Sequence, residues 1–185
     1  MLAMFLSVTL AGAATIPRQS PEFAMNTVDG KQILLSQYRG KAVVFAFILT
    51  TCPHCQQTLG ILSKLQPEYA ARGVQVLACA IEDAARQNVP GFIAKFRPPF
   101  PVGYSPRDSV YEYLQHPSML ILHMPALVFI DRHGSIRAQY EGDAPFFAGD
   151  AQEKDIREEI EKLLKEGNVT SKTTHHKGGA ARATK

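Results

Sequence analysis

Apolar positions along this 185-residue chain follow two periods, and the change from one to the other marks its centre. Residues 42–49, Ala-Val-Val-Phe-Ala-Phe-Ile-Leu, form a short, β-branched and aromatic run after Gly40-Lys41 and predict a strand buried on both faces. Beyond it, Cys55, Leu59, Leu62, Leu65 and Tyr69 recur at helical spacing and share one face. The pattern predicts a helix to about Gln66, where Pro67 should kink or restart it by removing a hydrogen bond and crowding the preceding turn. Gly73 reads as its stop and residues 74–81 as a second buried strand, so strand, helix and strand make one parallel βαβ unit.

The flanks add smaller elements. Asp29-Gly30 lies between two extended pieces, which is a hairpin signal, and Tyr38-Arg39-Gly40-Lys41 is the loop into the central strand. Asn88 reads as the cap of a helix over residues 89–96 with Pro90 in its first turn, and residues 108–115 as a short helix. Residues 126–131 and 135–140 read as strands joined by a tight turn at Asp131-Arg132-His133-Gly134, an antiparallel hairpin. Asp150 with Glu153 looks like a capping box for a last helix, whose apolar stripe is Ile156, Ile160, Leu163 and Leu164 and whose end is Gly167. Residues 168–185 carry no apolar period and predict a disordered tail.

Composition narrows the class. At 45% hydrophobic the chain can bury one good core, which implies one domain over residues 18–166. The net charge of +3 belongs to the tail: residues 167–185 hold Lys172, Lys177, Arg182 and Lys185 with no acid, and the remainder carries −1. A near-neutral domain gives no case for nucleic-acid binding. Residues 1–17 begin with an apolar run followed by Ala11-Gly12-Ala13, which resembles a secretory signal peptide or the remnant of a membrane anchor, although no Lys or Arg precedes the run. Periplasmic or extracytoplasmic placement follows as the expectation.

Candidate chemistry sits where the two periods meet. Cys52-Pro53-His54-Cys55 opens the central helix directly after the buried strand. There the unpaired N–H groups and the macrodipole favour a thiolate at the first sulfur, while the second lies one turn inside, close enough to form a small disulfide ring. Pro53 suits the first helical position, and His54 can place a donor and a positive charge near the first sulfur. Three cysteines are too few for a disulfide scaffold but fit one redox pair plus Cys79, which reads as a small core residue in an apolar strand. A zinc site would need a second ligand pair, and none is present, so no metal is expected.

These features together resemble the thioredoxin-like fold, and more closely its extracytoplasmic branch of TlpA- and ResA-like thiol–disulfide oxidoreductases, which borders on the peroxiredoxins. The residues carrying the likeness are Pro21-Glu22-Phe23, Asp29-Gly30-Lys31, Arg39-Gly40-Lys41, the Cys-Pro-His-Cys motif, and Met124-Pro125-Ala126-Leu127-Val128-Phe129-Ile130-Asp131 with Gly134. The resemblance implies a three-layer α/β/α sandwich whose central mixed sheet carries an N-terminal β-hairpin. It implies that Met124–Pro125 is cis, that the Met124 backbone pairs with an extended substrate segment, and that Pro125 packs near the sulfurs. It implies disulfide exchange with protein thiols or disulfides, a membrane or soluble electron-transfer partner, and a monomer with no cofactor beyond the Cys52–Cys55 disulfide. The Pro-His pair is similar to that of the strongly oxidising DsbA proteins.

The chain also departs from that pattern. The buried acid that thioredoxins carry six residues before the first cysteine is Ala46 here, and the Glu that ResA-like proteins carry three residues after the second is Thr58. Deprotonation of Cys55 is thus left to water or another group, and the direction of electron flow stays open. Two rivals share the fold. A peroxiredoxin would have a Thr where Leu49 stands, three residues before Cys52. A Sco-like copper chaperone would have three residues between its cysteines rather than two, with His123 as the distant ligand.

Overall fold

The structure, a computed structural model, describes residues 14–172. The first thirteen residues of the expected signal segment and residues 173–185 of the expected tail lie outside them. Eight strands form one mixed sheet: β1 (Arg18–Gln19), β2 (Ala24–Asn26), β3 (Gln32–Leu34), β4 (Ala42–Ile48), β5 (Val74–Ala80), β6 (Val102–Tyr104), β7 (Ala126–Ile130) and β8 (Ser135–Tyr140). Their order across the sheet is β1-β8-β7-β4-β5-β6-β2-β3. Strands β4, β5 and β6 are parallel, β7 runs antiparallel beside β4 and β8 antiparallel beside β7, and the β2–β3 hairpin extends the far edge. The expected three-layer sandwich with its N-terminal hairpin is what the chain forms.

Strand β4 is the spine, and every one of its residues is buried. Ala42, Val44, Ala46 and Ile48 face a core shared with α1 (Pro53–Ala70), α2 (Ala85–Phe96) and α4 (Gln152–Lys172). Val43, Phe45 and Phe47 face the opposite core, where α3 (Arg107–Leu114) and the N-terminal segment pack. There Phe23 meets Phe45, Phe47 and Tyr113 edge-on at 5.1–5.5 Å. Full burial of each such side chain stabilises by about 1.5–3 kcal/mol, so the strand period sets both cores at once.

Three local expectations are corrected. Helix α1 does not end near Gln66 but passes through Pro67 to Ala70. The Gln66 side chain ties that last turn to β5, accepting the Val76 N–H at 2.6 Å and donating to the Val74 carbonyl at 3.2 Å, while Leu65 and Tyr69 are buried. Packing outweighs the one bond that proline removes. Helix α2 starts at Ala85, a turn before the Asn88 cap, because Ala85, Val89 and Phe92 together make its buried face. A 3₁₀ turn over Gly149–Ala151 leads into α4 at Gln152, where the Glu153 carboxylate pairs with Lys64 and Arg157; the Asp150 side chain of the expected capping box lies outside the described residues. Gly167 does not end α4, which runs to Lys172 and so takes in residues 168–172 of the expected tail. An interior glycine costs a helix only about 1 kcal/mol.

Candidate active site

Register brings three strand ends to one place. Phe47 pairs with Ala126, so continuing the antiparallel ladder sets Pro125 opposite Ile48 and Met124 opposite Leu49. Ile48 pairs with Ala80 in parallel, and the Ile81 N–H donates to the Ile48 carbonyl at 3.1 Å, which carries Glu82 up beside Thr50. The loop after β4, the loop before β7 and the residues after β5 therefore meet at the C-terminal edge of the parallel strands, where α/β folds place their sites.

Cys52 is the N-cap of α1, in extended conformation with Pro53 at the first helical position, and its N–H donates to the Leu49 carbonyl at 3.2 Å. It is half-buried, whereas Cys55 is fully buried in the first core. Both are free thiols. The Leu49 N–H points at the Cys55 sulfur at 3.5 Å. Burial pushes the Cys55 thiol up from its ordinary value; the Leu49 N–H pulls it back, and Cys52 and the charge of Glu82 push it further up. His54 is exposed on the first turn, and its carbonyl accepts the Thr58 hydroxyl at 3.0 Å. Pro53 is exposed as well.

The Met124–Pro125 bond is cis, as expected, with Pro125 buried and Met124 half-buried. Cys52 and Met124 both pack against the core that holds Cys55. The loop is backed by a residue that sequence reasoning passed over. Gly142 donates its N–H to the His123 carbonyl at 2.9 Å, and a Cβ there would lie 2.6 Å from the carbon and oxygen of the Met124 carbonyl. Only glycine allows that approach.

The two positions where the resemblance would have placed an acid are spent on packing. Ala46 is enclosed between Ala78 and Leu127. Thr58 is buried, and its hydroxyl accepts a 2.7 Å bond from the amide of Gln152 at the start of α4 while donating to His54. The carboxylate at the site is Glu82, also missed from sequence. Its Oε1 accepts the Thr50 N–H at 3.2 Å, the Thr50 hydroxyl, and the Asn88 amide at 3.4 Å. His123 is exposed on the loop before Met124, and among the described residues no group of three or more His, Cys, Asp or Glu side chains converges as a metal site.

A half-buried cysteine capping a helix, a buried cysteine one turn inside and a cis-proline loop on a thioredoxin-like sheet define a thiol–disulfide oxidoreductase. The Redoxin family model matches residues 17–156, and the chain belongs to that family. It is 26% identical to the thiol-disulfide oxidoreductase ResA of Geobacillus thermodenitrificans over 151 residues, covering 82% of this chain and 79% of that one. Over 131 residues it is 27% identical to ResA of Bacillus anthracis, covering 69% and 70%. A crystal structure from Chlorobium tepidum, provisionally described as the thiol:disulfide interchange protein DsbE, superposes with a TM-score of 0.68 at 26% identity and covers 80% of this chain and 96% of that one. The peroxidase and copper-chaperone readings are not favoured.

Proposed function

We propose that this oxidoreductase exchanges disulfides with protein substrates through Cys52 and Cys55, with Cys52 as the nucleophile. The observation that carries the division of labour is exposure: Cys52 is half-buried, whereas Cys55 is fully enclosed. The Cys52 thiolate attacks one sulfur of a substrate disulfide; a mixed disulfide forms and the other substrate sulfur leaves as a thiolate that takes a proton. Cys55 then loses its proton and attacks the Cys52 sulfur, closing the Cys52–Cys55 disulfide and releasing the second substrate thiol. Two electrons pass to the substrate, and the same steps run backwards in the oxidising direction. The disulfide is the only redox group this scheme requires.

Pro125 and Met124 form the substrate wall, the Met124 backbone pairing with an extended segment as a strand would. Pro53 and His54 tune the potential of the pair from the exposed first turn. The apolar start of the chain supports placement outside the cytoplasm with a membrane or soluble electron partner, and we read the working form as a monomer. No helix among the described residues is long and apolar enough to cross a membrane. Trapping tests the assignment. Cys55→Ser should accumulate a mixed disulfide on Cys52 when mixed with glutathione disulfide or a disulfide-bonded protein, and Cys52→Ser should not. Accumulation by the second variant alone would reverse the roles.

A further inference from the structure

Resolution of a mixed disulfide requires Cys55 to lose a proton, yet its sulfur is fully enclosed and neither Ala46 nor Thr58 can take that proton. Glu82 is the group built to do so. Thr50, two residues before Cys52, fixes one carboxylate oxygen with its N–H and its hydroxyl, and Asn88 adds a third donor. The other oxygen, Oε2, is buried and has no partner among the described residues. A buried carboxylate oxygen left unpaired while its twin takes three donors is costly, and such an atom is commonly kept for chemistry. Glu82 also stands between two environments. On one side lies the enclosed Cys55, whose sulfur faces the Leu49 N–H at 3.5 Å while the next N–H, that of Thr50, goes to Glu82 at 3.2 Å; on the other is a groove of about 520 Å³ shared with Asp83, Arg86, Tyr104, Arg107 and Asp108.

We propose that Glu82 accepts the proton of Cys55 when the mixed disulfide is resolved and passes it to solvent through that groove. This rests on Cys55 being the resolving thiol. The electrostatics are self-consistent. While ionised, Glu82 repels a developing thiolate and keeps Cys55 protonated and quiet; once it takes the proton its charge is gone, and the thiolate forms beside a neutral neighbour. The Cys55 S–H bond breaks as a Glu82 O–H bond forms, the Cys55 sulfur then bonds Cys52, and the Cys52–substrate bond breaks with its electron pair leaving on substrate sulfur. The titratable groups on which the Glu82 charge acts are Cys55 of α1 and Cys79 of β5, and those sharing its groove are Asp83, Arg86, Tyr104, Arg107 and Asp108.

The test follows the glutathione adduct on Cys52 by rapid quench between pH 6 and 9, in the full chain and in Glu82→Gln. Glu82→Gln is nearly isosteric and should form the adduct within twofold of the normal rate. It should resolve the adduct on the order of 100-fold more slowly at pH 7, the scale of general-base catalysis, with a rate rising about tenfold per pH unit because hydroxide is the base that remains. An unchanged resolution rate, or a uniform loss with an unchanged pH profile, would overturn the proposal. Thr50→Val keeps the carboxylate whatever Glu82→Gln does to folding. By removing a donor that aims the carboxylate it should slow resolution of the adduct while leaving adduct formation within twofold, and an unchanged resolution rate also overturns the proposal. Absence of any adduct in Cys55→Ser would instead sink the cysteine assignment, which separates the two failures.

Discussion

Cys55, on the first turn of α1, and Cys79, one residue from the end of β5, are both fully enclosed. Burial pushes both thiols up, and the charge of Glu82 acts on each in the same direction. They lie in opposite cores, on the two faces of one sheet. Cys55 has a backbone N–H aimed at its sulfur and a half-buried cysteine one turn away. Cys79 is flanked in the sheet by Phe47 and Gly103, and its S–H points at the Ala80 carbonyl at 3.7 Å. Two thiols of the same burial thus differ in neighbours alone. Enclosure makes a thiol inert; a partner sulfur at a helix N-terminus and a route for the proton make it usable.

The comparison breaks most sharply by deleting sulfurs. Cys52→Ala or Cys55→Ala should lower reduction of a disulfide-bonded protein substrate by more than about 100-fold, or about 2.7 kcal/mol of barrier, while Cys79→Ala stays within twofold of the parent. Equal losses in all three would make Cys79 part of the machinery. Next in size is Gly142→Ala, which drives a methyl group into the Met124 carbonyl. Turnover should fall about tenfold and stability by about 1–3 kcal/mol in a urea melt, because overpacking displaces the loop that carries Pro125. A stable variant with full turnover would remove that loop from the substrate wall.

The smallest effect is read from pH. An unfolded thiol ionises near pH 8.5 (about the model-peptide value), while burial keeps Cys55 and Cys79 protonated in the fold. Between about pH 8.5 and 10 the unfolded chain therefore holds fewer protons, and each buried thiol should lower stability by about 1.4 kcal/mol per pH unit. Below about pH 8.5 that stability is fully present. Urea midpoints should show Cys79→Ala in the reduced protein, and closure of the Cys52–Cys55 disulfide in the oxidised parent, each removing one thiol's share of the alkaline slope. An unaltered slope in Cys79→Ala would mean that its sulfur is not enclosed.

What was legible in the sequence was what local pattern encodes. The buried run at 42–49, of which β4 takes all but Leu49, the helical face from Cys55 to Tyr69, the cysteine motif and the proline at the head of β7 fall where their spacing puts them. What escaped depends on register between distant segments. Glu82 looks like any polar residue after a strand until the β4–β5 ladder sets it beside Thr50. Gly142 looks like a loop glycine until the Met124 carbonyl arrives against it. Thr58 marks a missing acid in the sequence, and only the packing of α4 shows that its hydroxyl holds Gln152 instead. The helix ends were misread for a related reason: Pro67 and Gly167 are local stop signals, but Gln66 is tied to β5 and α4 continues regardless.

The central claim is that Cys52 and Cys55 form the redox couple and Cys79 stands apart. Mass spectrometric mapping of the protein after equilibration with glutathione disulfide tests it most directly. The account predicts a Cys52–Cys55 cross-link within one chain and a single remaining thiol, on Cys79, that reacts with alkylating agent only after unfolding. A cross-link involving Cys79, or two thiols left free beside a stable glutathione adduct, would contradict it.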